Sequence, residues 1–171
     1  MAQTNDYRTL RDEIDSSTIK LWDEHEQNMA CKKGCDKCCL NFDVFPIEFD
    51  YIKEQMQAHY PLVLEQKRPE KLGEACFFLN QHQCSIYSVR PIICRTHGYP
   101  LLYMNEEGDQ WELSHCELNF TKVDEEYFHE DNCYLQDTYN SRLFMMNKEY
   151  IKTAHPDKGE FDLIPLTELL K

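Results

Sequence analysis

A mainly α-helical fold with small β-hairpins, in the α+β class, is predicted by three features of the sequence. Apolar residues recur at helical spacing near both ends of the chain. Short apolar stretches in the middle are separated by turn-forming residues. Of nine cysteines among 171 residues, eight fall in the same middle stretch, so the elements are expected to be organised around a cysteine-ligated metal site. A chain near 150 residues buries roughly 70% of its unfolded surface, enough for one core, so a single compact domain over 1–171 is expected. The composition, 42% hydrophobic and 12% aromatic, is not that of a disordered chain.

Residues 1–30 read as a helix, with Leu10, Ile14, Thr18 and Leu21 on one face and Trp22 beside them. It stops at the first cysteines, where Gly34 permits a tight turn. Pro46 suits the first turn of a second helix that carries Ile47, Tyr51, Ile52 and Met56 and ends before Pro61. Leu62 to Glu74 is charged and reads as a short helix or a loop. Cys76-Phe-Phe-Leu and Cys84-Ser-Ile-Tyr are strand candidates around Asn80-Gln-His-Gln. Leu101-Leu-Tyr-Met and Trp111-Glu-Leu-Ser form a second hairpin around Asn105 to Asp109. A long helix over 131–154 keeps Leu135, Tyr139, Leu143, Met146 and Tyr150 on one face, and Pro156 and Gly159 end it. The tail, 157–171, either adds a helical turn after Thr167 or stays loose. The metal-binding core is placed at 31–116, between the flanking helices.

The net charge of −13 repels polyanions, so nucleic acid and an anionic membrane surface are not expected partners. The first seventeen residues lack the basic start and apolar stretch of a secretory signal, and no segment approaches the ~18 apolar residues of a membrane span. A cytoplasmic location is therefore expected. In that reducing setting clustered cysteines read as metal ligands or redox groups before disulfides.

Eight cysteines fall into groups: Cys31-x3-Cys35-x2-Cys38-Cys39, then Cys76-x7-Cys84 and Cys94, with Cys116 after the second hairpin. Gaps of two and three residues let one loop supply several ligands, and soft thiolates at this density select zinc, iron–sulfur clusters or copper(I). Adjacent Cys38 and Cys39 diverge, so one of them serves a second metal, lines the first site or remains a free thiol. Eight thiolates fit two four-thiolate zinc ions, and equally one four-iron cluster with spare thiols nearby. The Cys-x3-Cys-x2-Cys spacing also occurs in radical S-adenosylmethionine enzymes, but 171 residues lack room for their barrel.

Lys32, Lys33 and Lys37, with Arg90 and Arg95 beside Cys94, are placed in sequence to offset the thiolate charge, unless they are simply solvated. Arg90 and Arg95 are the candidates for contact with the cofactor, donating to sulfur or pairing with acids. Pro91 can start a short helix whose N–H groups face the thiolates. His97 and His115 stand close enough in sequence to replace a cysteine, although the thiolates already suffice. Tyr87 reads as a core aromatic, Cys133 as a small apolar residue, Met145 and Met146 as core. His25, His59, His82, His129 and His155 read as surface residues.

The run from Cys31 through Cys76-Phe-Phe-Leu-x4-Cys84-Ser-Ile-Tyr-Ser-Val-Arg-Pro-Ile-Ile-Cys94-Arg resembles the YkgJ-like cysteine-cluster family, a zinc- or iron-chelating domain. The resemblance covers about Cys31 to Cys116. It implies a metal site built from Cys31, Cys35, Cys38, Cys39, Cys76, Cys84, Cys94 and Cys116. Flagellin lysine N-methylase carries a similar cluster, which implies an iron–sulfur centre and methyl transfer, but its additional sequence is not recognisable here.

The expected function is that of a cytoplasmic metal-binding protein holding a 4Fe-4S cluster or Zn2+ through these cysteines. Rival readings are a zinc-stabilised module that recruits a protein, and an iron–sulfur enzyme of methyl or electron transfer acting alone or in a complex; the partner expected is an unspecified protein or small molecule. No glycine-rich phosphate loop, nucleophile elbow or paired-carboxylate signature is present, so no enzyme is assigned.

Overall fold

The computed structural model describes residues 2–67 and 73–170. The fold is α+β, about 49% helical with small sheets. Helix α1, Ala2–His25, buries Tyr7, Leu10, Ile14, Thr18, Leu21 and His25, a run of i+3 and i+4 steps that forms one stripe. It ends at His25, ahead of the expected boundary, in a short 3-10 turn over Glu26–Asn28. Strand β1 (Asp43–Val44) leads into α2 (Pro46–His59), where Pro46 occupies the first turn and Ile47, Tyr51, Ile52 and Met56 are buried. Helix α3 (Pro61–Leu64) is brief, and residues 68–72 of the stretch read as helix or loop lie outside the described residues.

The first hairpin is shorter than its sequence suggests. Strands β2 (Leu79–Asn80) and β3 (Gln83–Cys84) pair Leu79 with Cys84, and Gln81 and His82 make the turn with φ of 48° and 61°. A two-residue turn of this hand matches strand twist, so Asn80 and Gln83 are drawn into the ladder. The residues after Cys84, expected as strand, instead form a 3-10 turn over Tyr87–Val89. Helix α4, Ile92–Thr96, follows Pro91 and carries Cys94.

Strands β4 (Leu101–Met104) and β5 (Trp111–Ser114) form the second hairpin, in the register Leu101 to Ser114. Tyr134–Leu135 adds a parallel strand, β6, on the free edge of β4, and α5 follows as Gln136–Ala154. The helix therefore starts five residues later than expected. The backbone of Tyr134 is claimed by the sheet, its N–H donating to Pro100 O at 2.8 Å, and a sheet bond outweighs local helical preference. Helix α5 packs on α1 and α2. The tail does not stay loose: β7 (Ile164–Pro165) pairs antiparallel with β1, and the turn Leu166–Leu169 buries Leu166 and Leu169. Lys171 lies outside the described residues.

Glu48 of α2 sits at the centre of this layer. It is 3% exposed, accepts the Tyr7 hydroxyl at 2.7 Å and accepts the Ile92 N–H at 2.6 Å. One carboxylate thus ties α1, α2 and the start of α4 together. Burial raises its pKa against the lowering effect of both hydrogen bonds. Removing the Tyr7 hydroxyl with Tyr7→Phe is expected to cost about 1 kcal/mol in urea unfolding, the net worth of one intramolecular hydrogen bond.

Candidate metal centre

The first cysteine run folds as two successive turns. Cys35 N–H donates to Lys32 O and Cys39 N–H to Asp36 O, each at 2.9 Å, and Gly34 takes φ +97° in the first of them. Leu40 then bridges to Ala75, and Cys76 N–H donates to Cys39 O at 2.8 Å, which sets Cys76 beside Cys39. The Asn41 carboxamide clamps the same junction: its oxygen accepts Phe77 N–H, and its nitrogen donates to Gly73 O and Ala75 O. The hairpin delivers Cys84, and α4 delivers Cys94.

All nine cysteines are free thiols; eight are partly exposed and Cys133 is buried. Their electrostatic neighbours sort them. Burial raises the Cys31 thiol, and the charges of Cys116 and Cys35 add to it. Cys38 is raised by burial, then by Cys31, Cys35 and Cys116. Cys39 is pushed up to about 12 by burial, then by its neighbour Cys38 and by Cys76 and Cys84. Cys94 is raised by burial and by Cys76, Cys84, Glu48 and Cys39. Apart from the covalent neighbours Cys38 and Cys39, the sulfurs divide into Cys31, Cys35, Cys38 and Cys116 on one side and Cys39, Cys76, Cys84 and Cys94 on the other. Among the described residues no three Cys, His, Asp or Glu side chains are drawn tightly enough to hold one ion as they stand. By donor chemistry the two groups fit a thiophilic metal: each is all sulfur, and soft thiolates exclude calcium and magnesium.

Several sulfurs receive N–H donors. Backbone N–H groups of Phe78 and Leu79 reach Cys76, that of Ile86 reaches Cys84, and the Asn119 side chain reaches Cys31; each lowers a thiol that burial raises. Of the two roles expected for the arginines, Arg95 takes the pairing with an acid. Arg95, 5% exposed, places Nη1 against both oxygens of Asp15 and donates to Ser88 O and Arg90 O. Arg90 donates to Cys94 O and Tyr87 O and lies 3.7 Å over the Tyr87 ring. Their bonds go to backbone and carboxylate because the turn around Cys94 leaves carbonyls that need donors. Arg90 still acts at longer range, its charge lowering Cys84.

The first N–H of α4 goes to Glu48 rather than to a thiolate. Lys32, Lys33 and Lys37 are exposed. His97 Nδ1 bonds to Ile93 O and its ring leans on Phe42, while His115 stacks on Phe128. Tyr87, expected in the core, is 62% exposed. His25, expected at the surface, is fully buried and is held by Tyr127 Oη and Asn132 O. Met146 packs against the core but Met145 is exposed. Cys133 lies against Asn132 Oδ1 at 3.5 Å.

Sequence spacing did not single out Asn41, Asn119, Glu48 or Gly98. For Gly98 a signal existed: it is one of only five glycines, four residues past Cys94. It takes φ +96°, and a Cβ there would lie 2.8 Å from Cys31 Sγ. Gly98→Ala is therefore expected to cost at least the ~1–2 kcal/mol of a left-handed L-residue and to displace Cys31. Unfolding curves paired with metal analysis check this: the loss should fall on the Cys31 group.

An uncharacterized protein of Methanocaldococcus jannaschii is 37% identical over 68 residues, a match that spans 34% of this chain and 37% of that relative. No solved structure matches the chain. Among the described residues no helix is long and apolar enough to cross a membrane. Residues 30–117, just over half of the chain, match the CxxCxxCC family, the "Putative zinc- or iron-chelating domain", and it is to this family that the chain belongs.

Proposed function

We propose that the chain holds two all-thiolate metal centres, one on Cys31, Cys35, Cys38 and Cys116 and one on Cys39, Cys76, Cys84 and Cys94, each taking an iron–sulfur cluster or zinc. What supports this reading is that Cys31 and Cys38 feel the charges of Cys35 and Cys116, whereas Cys39 and Cys94 feel those of Cys76 and Cys84, with the boundary at the Cys38–Cys39 bond. Successive side chains diverge, so the adjacent pair serves two centres more readily than one. The family match supports metal binding in general; its span encloses all eight thiols and stops short of Cys133.

A bound metal supplies Lewis-acid or redox chemistry and ties its loops together. The chain's own part is to group the sulfurs, shed their protons and donate N–H groups to the thiolates. Because burial holds Cys39 and Cys94 protonated, loading must release their protons, and affinity is expected to fall as pH is lowered. Each structural four-thiolate site is worth on the order of 10–16 kcal/mol in small zinc peptides.

Anaerobic purification followed by metal and sulfide analysis tests the reading. Two zinc per chain in a colourless protein, or iron and sulfide in a brown one, supports it. A metal-free chain that neither zinc nor iron with sulfide reconstitutes overturns it.

A further inference from the structure

We infer that Asn119 is the positioning residue of the Cys31 centre, its side-chain N–H serving as a hydrogen-bond donor to the metal-bound Cys31 sulfur; this rests on the two-centre reading above. Asn119 lies outside the span that matches the family. It is 1% exposed and makes three side-chain bonds. Oδ1 accepts Ala30 N–H at 2.8 Å, and Nδ2 donates to Gly98 O at 2.7 Å and to Cys31 Sγ at 3.3 Å.

The orientation of the carboxamide is forced by its neighbours. Ala30 N–H can only donate, so it must meet the oxygen; Gly98 O can only accept, so it must meet the nitrogen. The second N–H then has one direction left, towards the Cys31 sulfur. An N–H aimed at a thiolate stabilises its negative charge, and partners of this kind orient a ligand and tune the metal it holds.

The backbone delivers Asn119 to this spot. Asn119 N–H closes a turn on Cys116 O at 2.9 Å, so the residue is set by the other end of the same foursome. The next residue, Phe120, takes φ +59° and donates its N–H to Asn28 O at 2.7 Å. Gly98 leaves the room that the sulfur occupies. Asn119 thus joins three separate stretches of chain around one sulfur: the approach to Cys31, the turn at Gly98 and the turn after Cys116. The Cys39 foursome has its own clamp in Asn41, which bonds to backbone at Gly73, Ala75 and Phe77, so among the described residues the carboxamide donor to sulfur belongs to the Cys31 group.

The full chain loaded with cadmium-113 tests this by NMR. Two thiolate-bound cadmium resonances are expected, and the one abolished by Cys31→Ser should show a coupling across the sulfur to the Asn119 carboxamide proton. Asn119→Ala should shift that resonance alone and speed removal of that ion by a chelator roughly 10–100-fold. Asn119→Asp, which keeps the acceptor for Ala30 but loses both N–H groups, should do the same, whereas a purely structural tie to Ala30 would survive it. Unchanged shifts and removal rates in both variants overturn the inference. If neither variant folds, the wild-type coupling decides, and its absence overturns the inference. A wild type without two thiolate-bound cadmium signals instead overturns the two-centre reading.

Discussion

Cys94→Ser is expected to remove one metal centre and leave the other. The charges of Cys76, Cys84 and Cys39 act on Cys94, whereas those of Cys35 and Cys116 act on Cys31. Metal content should fall by half, and Cys31→Ser should remove the complementary half. Cys133→Ser should leave both, because Cys133 is pushed up to about 11 by burial and no other thiol contributes to that rise. Loss of all metal from Cys94→Ser would mean that the sulfurs share one centre. Helix content should survive either change, since α1, α2 and α5 pack together through the apolar core that includes Leu10, Ile14, Ile52 and Leu143. Far-UV circular dichroism then stays near wild type, while amide exchange accelerates in the cysteine loops that lost their metal.

The second large effect is at Glu48. Glu48→Ala leaves the Tyr7 hydroxyl and the Ile92 N–H buried with no acceptor. Each orphaned group costs about 1–3 kcal/mol and the cavity adds to it, so a loss of about 3–5 kcal/mol in chemical unfolding is expected. Glu48→Gln keeps the carbonyl acceptor and should spare most of that loss. The pair also reads out pH. The folded chain holds the Glu48 proton more tightly than the unfolded chain, whose value is near 4.5. The contribution of Glu48 is thus fully present below pH 4.5 and is lost as pH rises through the raised folded value. Glutamine has no proton to lose, so the stability of Glu48→Gln relative to wild type should climb with pH and then level off. The comparison is kept below the thiol range, because the Glu48 charge also raises Cys94. A flat difference across that range would show that Glu48 is ionised as readily in the fold as out of it.

Much of the helical layer was legible in the chain. Leu10, Ile14, Thr18 and Leu21 repeat at helical spacing, Pro46 marks an entry, and the β4–β5 hairpin has strong strands around a turn-forming loop. These signals are local, and so they survive in the order of residues. The start of α5 was misjudged because Tyr134 and Leu135 satisfy both a helical face and a strand, and the choice belongs to the free edge of β4. The strand of the tail could not be read either, although its helical turn could: Ile164 and Pro165 pair with Asp43 and Val44 from the other end of the chain. His25 looked like a surface residue because nothing near it in sequence announces Tyr127 and Asn132, its partners about a hundred residues on.

The thiols divide along the same line. Their number, their softness and the turns at 31–39 are properties of neighbouring residues, and they point to metal without any fold. Which four sulfurs keep company is a long-range matter, set by Cys76 N–H on Cys39 O, by Glu48 at the head of α4, and by Asn119 reaching back to Cys31. Those bonds link stretches far apart along the chain. Only packing brings such groups within range of one another, so the proposed division of the cysteines between two centres is a matter of tertiary structure and not of the order of residues.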